Sequence, residues 1–111
     1  MAEDDSFCRR TVSSSNREFV IQVLRFENGC FVSLAENKNS LGSVMLSLGV
    51  EPGPITTTVI PAKTDALFLK MVSEKLGQTT KGIAIVSASI QGELDTATAS
   101  RIAAEIDGMV K

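Results

Sequence analysis

The sequence contains no histidine, so acid–base or nucleophilic chemistry would fall to carboxylates, lysines or the two cysteines. Without imidazole there is no Ser-His-Asp or Cys-His arrangement, the commonest zinc ligand is missing, and there is no general base that is poised at neutral pH unaided. Glu3, Asp4 and Asp5 are acidic, but consecutive carboxylates on a stretch with no apolar period build no rigid cation cage. Cys8 and Cys30 show no CxxC spacing. They read as free thiols, with Cys30 a small core residue. Neither GxGxxG nor GxxxxGK[ST] is present, and the glycines of "LGSVMLSLG" fall in an expected strand with no helix starting after it. The lysines Lys63, Lys70, Lys75 and Lys81 cluster in and around one expected helix. A solvated helix face accounts for them, and the alternative is an electrostatic docking surface for an acidic partner, centred on Lys70 and Lys75. Catalysis by carboxylates or lysine stays formally open, but no motif points to it, and no catalytic residue, cofactor or metal is expected.

The elements are legible from period and punctuation. At 111 residues, 43% hydrophobic and 22% charged, the chain fits one domain. A net charge of −2 argues against a general nucleic-acid binder, which needs clustered cations. No apolar run approaches the roughly 20 residues that cross a bilayer. The start, "MAEDDSFCRR", lacks an apolar core for a secretory signal, so a cytosolic or nuclear protein is expected. Residues 1–16 show no apolar period and are expected to be a flexible tail, with a single domain over 17–111.

"REFVIQVLRFE" alternates as a strand, "ENG" (Glu27 to Gly29) signals a hairpin, and "CFVSLAE" follows as its partner. "LGSVMLSLG" reads as a third strand of an antiparallel meander, and "ITTTVI" (Ile55 to Ile60) as a fourth. A helix capped by Thr64 or Asp65 would bury Leu67, Phe68, Met71, Val72 and Leu76, turn Lys70, Ser73, Glu74 and Lys75 to solvent, and stop at Gly77. The strand "GIAIVSASI" comes next. A last helix from about Asp95 to Val110, capped by Asp95 or Thr96, would bury Ala99, Ile102, Ala103, Ile106, Met109 and Val110. The fold class is α+β: an antiparallel sheet of about five or six strands with two helices on one face.

The functional signal is a surplus of apolar surface. "IAIVSASI" carries Ile83 and Ile85 on one side and Ala84, Val86, Ala88 and Ile90 on the other, and the first three strands are also apolar on both faces. Two helices cover one face of such a sheet. Soluble monomers avoid exposed apolar patches above a few hundred Å², so the other face is expected to stack on a second sheet at about 10 Å spacing. The alternative is a curled, barrel-like sheet that buries its own inner face. The residues assigned to the dimer face are Val32, Leu34, Val44, Leu46, Val86 and Ala88.

The order of elements, with "NGCFVSLAENKNSLGSVMLSLG", "PITTTVI", "ALFLKMVSEKLGQTTKGIAIVSASI" and "ATASRIAAEI", resembles the proteasome assembly chaperone 4 family. The resemblance runs from about Phe19 to Met109 and rests on packing patterns. At "PAKT" the chain is shorter than the family's usual Ser/Thr-rich loop. The resemblance implies a non-enzymatic chaperone of 20S proteasome α-ring assembly. It would pair through its sheet with a related chaperone (proteasome assembly chaperone 3-like), or form a homodimer alone. It would bind α subunits, chiefly α5. The competing reading is a roadblock-type dimeric adaptor in signalling or trafficking, which a helix before Ile55 would mark.

Overall fold

A computed structural model of the chain describes residues 6–63 and 65–110. The strands are β1 (Phe7–Ser14), β2 (Arg17–Phe26), β3 (Gly29–Glu36), β4 (Ser43–Leu48), β5 (Ile55–Ile60) and β6 (Ile83–Ser89); the helices are α1 (Ala66–Thr80) and α2 (Thr96–Val110). The architecture is the α+β class expected from the sequence. The strands form one six-stranded sheet in the order β1-β2-β3-β6-β4-β5.

Two features of that order differ from a simple meander. β4 does not pair with β3. Strand β6 lies between them, parallel to β3 and antiparallel to β4. The sheet is therefore mixed, with α1 returning the chain from the β5 edge to the centre. The expected tail also contains a strand: Phe7–Ser14 pairs with β2 along its whole length. The hairpin closes through Ser15 and Asn16, both at positive φ (54° and 62°), the combination that a tight two-residue turn needs to match strand twist. Residues 1–5 lie outside the described residues.

The core sits between the sheet and both helices. Phe19, Ile21 and Val23 of β2 align with Leu34 and Val32 of β3, and these with Ala88 and Val86 of β6. All are buried beneath Leu69, Val72 and Leu76 of α1 and Ile102, Ile106 and Met109 of α2. Cys30 belongs to this layer and both cysteines are free. Burial pushes the Cys30 thiol up.

The phase of α1 differs from its apolar pattern. Leu67 and Met71 are exposed (69% and 61%), while Ser73, expected in solvent, is fully buried. The helix rests on a stripe of Ser73 and Gly77, whose small side chains let it approach β4 closely. A Cβ on Gly49, at the end of β4, would stand 1.9 Å from the Gly77 carbonyl oxygen. Gly77 is thus an interior packing residue, and the left-handed stop is Lys81 (φ 54°). Gly29 also has a packing role: it begins β3 opposite Phe26, leaving Glu27 and Asn28 to turn the hairpin, and a Cβ there would meet the Ile83 carbonyl oxygen.

At the helix starts, Asp65 makes no side-chain cap bond. Its carboxylate instead accepts from the Leu94 N–H at 3.0 Å. Thr64 lies outside the described residues. Of the two candidates Asp95 and Thr96, Asp95 caps α2, accepting from the Thr98 N–H and, at 2.6 Å, from the Thr98 hydroxyl. Ala99 and Ala103 of α2 are half-buried, whereas its other expected core residues are buried.

Candidate functional site: an uncovered sheet face

Both helices pack on one side of the sheet, so the site is built from the side chains of opposite parity. The register aligns them in rows. One row runs Phe7, Leu24, Phe31, Ile85, Leu46, Thr57 from edge to edge. The next runs Phe26, Gly29, Ile83, Leu48, Ile55. A third, Arg9, Gln22, Ser33, Ser87, Val44, Ile60, is more polar. Apolar character is concentrated toward the end where the β2–β3 hairpin turns. There Leu24, Phe26, Phe31, Ile83 and Ile85 line a shallow depression of about 290 Å³. Phe26 is 61% and Ile55 57% exposed. A continuous apolar row across five strands, Phe7 to Leu46, is unusual for a solvated face and is the feature expected of a protein-binding surface.

The residues assigned to this face from sequence divide between the two sides. Val44 and Leu46 lie on the uncovered face, half-exposed. Val32, Leu34, Val86 and Ala88 lie on the opposite face, buried under the helices at 8% exposure or less, and are corrected to core residues. Their places on the open side are taken by Phe31, Ile83 and Ile85. The strand alternation that would have found these is present in the sequence, but with both faces apolar it does not say which parity the helices choose. Ser87 and Ser89 do lie on the open face, with Ser87 bonded to the Gly42 N–H and Ser89 to the Ser40 hydroxyl.

Lys70 and Lys75 lie apart from this face, exposed on α1. Lys75 is 3.9 Å from Asp107 of α2; no hydrogen bond or ion pair engages the Lys70 side chain among the described residues. No group of three His, Cys, Asp or Glu side chains converges among them either.

Polar ties on the helix side fasten one end of the sheet. Arg17 grips the buried Glu36 through two bonds of 2.8 and 2.6 Å. The same guanidinium donates to the Glu93 and Gly92 carbonyls and stacks 5.3 Å above Phe19, while Glu36 also accepts from the Gln91 N–H. The cluster fastens β2 and β3 to the loop that launches α2. Arg10 of β1 adds a bridge to Glu105 of α2, and Ser14 bonds the buried Thr98 hydroxyl at 2.8 Å. These last contacts recruit β1 into the sheet.

Arg17 holds the Glu36 carboxyl below its ordinary value of 4.5, with the Gln91 N–H acting in the same direction against burial. A depressed folded-state value means that the unfolded chain binds the proton more readily. The stabilisation is thus present above about pH 4.5 and is lost as pH falls through the lower folded value. Asp95, held down by Thr98, acts in the same sense. Urea midpoints are expected to fall between pH 5 and 3, and Glu36→Gln to be less stable at pH 7 but flatter over that interval. An equally steep fall in Glu36→Gln would assign the acid sensitivity elsewhere.

No protein-family model matches the sequence, and no curated protein matches it. Among solved structures, the fold is similar to a chain of a chaperone complex for yeast 20S proteasome assembly, with a TM-score of 0.63 over 91% of this chain and 94% of that one. At 13% identity the likeness establishes a shared fold.

Proposed function

We propose that this chain is a non-enzymatic assembly chaperone for the 20S proteasome core particle, acting in α-ring formation as a heterodimer with a related, proteasome assembly chaperone 3-like protein. The observation that carries the proposal is the uncovered apolar sheet face, on a fold shared with a chaperone of yeast 20S proteasome assembly. Such a protein works by differential binding: it holds an intermediate and is displaced when later subunits cover its site. The partner's sheet stacks on the Leu24–Phe31–Ile85–Leu46 row, and proteasome α subunits, chiefly α5, dock elsewhere on the pair. Lys70 and Lys75 supply positive charge to that docking, in the cytoplasm and nucleus. Strands precede α1 throughout, and no helix lies before Ile55 among the described residues, which favours this reading over a roadblock-type adaptor.

The test is co-purification from native extract with the tagged chain. A second assembly chaperone and α5 are expected in stoichiometric amounts. Recovery of neither would end the proposal.

A further inference from the structure

The two edges of the sheet are built differently. β1 carries Arg9 and Arg10, and Arg10 is tied to Glu105; charges of this kind deter strand pairing. β5, "ITTTVI", has no charge, and five of its six residues are exposed. Pro54 and Pro61 bracket it. An edge with unpaired backbone groups and no charge is a template for another strand.

We infer that the β5 edge pairs with β5 of a second copy of this chain, antiparallel about a two-fold axis at Thr57. The charges of α1 argue for that occupant. Glu74 reaches the helix-side face of β5, accepting from the Thr56 hydroxyl at 2.7 Å. Ile60 and Pro61, at the far end of β5, share a cavity lining with Phe68 and Leu69 near the start of α1, so helix and strand run in opposite directions. One helical turn back from Glu74 is about 6 Å, close to the roughly 6.8 Å spanned by two strand residues. Lys70 therefore stands at the level of Thr58, on the same side of α1.

A two-fold axis at Thr57 places Thr58 of one copy opposite Thr56 of the other. It therefore sets Lys70 across from the second copy's Glu74, twice. On the open side it aligns Ile55 with Val59 and Thr57 with itself, with no charge buried. The surface is self-complementary, as an isologous interface requires. Because pairing consumes the β5 edge of both copies, and the axis sets Ile60 opposite Pro54, the new ladder is limited to the five residues Ile55–Val59, with the bulge at Val59 at its end, and the product is a closed dimer. This association uses neither the Leu24 row nor a chaperone partner; it shares only Lys70 with the docking proposed above, and the purified chain by itself decides it.

The experiment measures self-association of the purified full chain by sedimentation from about 1 to 100 μM, the range suited to a small interface. It is run in a Leu24→Asp background that disables the open face, with amide exchange read alongside. The expected result is a concentration-dependent dimer in which Ile55–Ile60 amides gain protection and Phe7–Ser14 amides do not. Lys70→Glu and Glu74→Lys should each weaken the dimer about tenfold, since each places like charges opposite one another at two symmetric sites. The double swap should restore it to within about threefold. A chain that stays monomeric, or a dimer with β5 unprotected or indifferent to both reversals, overturns the inference. Protection of β5 that arises only on adding another protein also overturns it, assigning the edge to that protein.

Discussion

Leu24→Asp is expected to weaken binding of the proposed chaperone partner by at least about 30-fold while leaving the melting temperature nearly unchanged. Leu24 lies in the row that crosses the uncovered face beside Phe31 and is 40% exposed in the free chain, so a carboxylate there remains solvated when the protein is alone. Stacking a second sheet on it would strip that water, and the same-face cation in diagonal reach, Arg9 of β1, would have to leave solvent to meet the charge. An unpaired buried charge costs several kcal/mol, and about 1.4 kcal/mol is a tenfold loss of affinity. Leu46→Asp, in the same row two strands beyond Phe31, should behave alike. Val32→Asp should instead unfold the protein, because Val32 is fully enclosed under the helices. Titration calorimetry with the partner and circular dichroism of each variant separate the two outcomes. Unchanged affinity in both Leu24→Asp and Leu46→Asp would show that the partner does not use this face.

Gly49→Ala is expected to destabilise the fold by about 3 kcal/mol or more, at or above the upper end of overpacking costs. The added Cβ would lie 1.9 Å from the Gly77 oxygen and 2.5 Å from its carbonyl carbon. Both belong to backbone, so relief requires α1 to lift from β4, opening the contacts of Ser73, Leu76 and the buried Ser47. For a chain near this size, about 3 kcal/mol corresponds to roughly 12–20 °C in Tm. Gly53→Ala is the matched control, since nothing lies within 4 Å of the position its Cβ would take. Equal melting temperatures for the two variants would show that the Gly49–Gly77 approach contributes little.

The N-terminal strand illustrates how a segment can escape a pattern search. An edge strand needs few apolar residues: in β1 only Val12 is fully buried, while Cys8 is half-buried and Arg10 reaches Glu105 instead of the core. "SFCRRTVSS" therefore lacks an apolar period although Cys8, Arg10 and Val12 share one face. The one local signal was the Ser15–Asn16 pair, since asparagine tolerates the left-handed conformation that the turn requires. For α1 the apolar arc was misleading, because the face that packs is set by where β4 offers Gly49, a contact between residues 28 apart in the chain.

What the sequence determined by itself was local: strands β2 to β6, both helices, a cap for α2 at Asp95 or Thr96, and the surplus of apolar side chains on both faces of the strands. Those follow from periodicity and from side-chain bonds spanning a few residues. The tertiary structure decided which surplus is spent inside the fold. Once β6 enters between β3 and β4, and the helices settle over Val32, Leu34, Val86 and Ala88, only the other parity, with Phe31, Ile85, Val44 and Leu46, is left uncovered. An alternating strand that is apolar on both faces carries no sign; the sign comes from long-range packing, and with it the identity of the uncovered face.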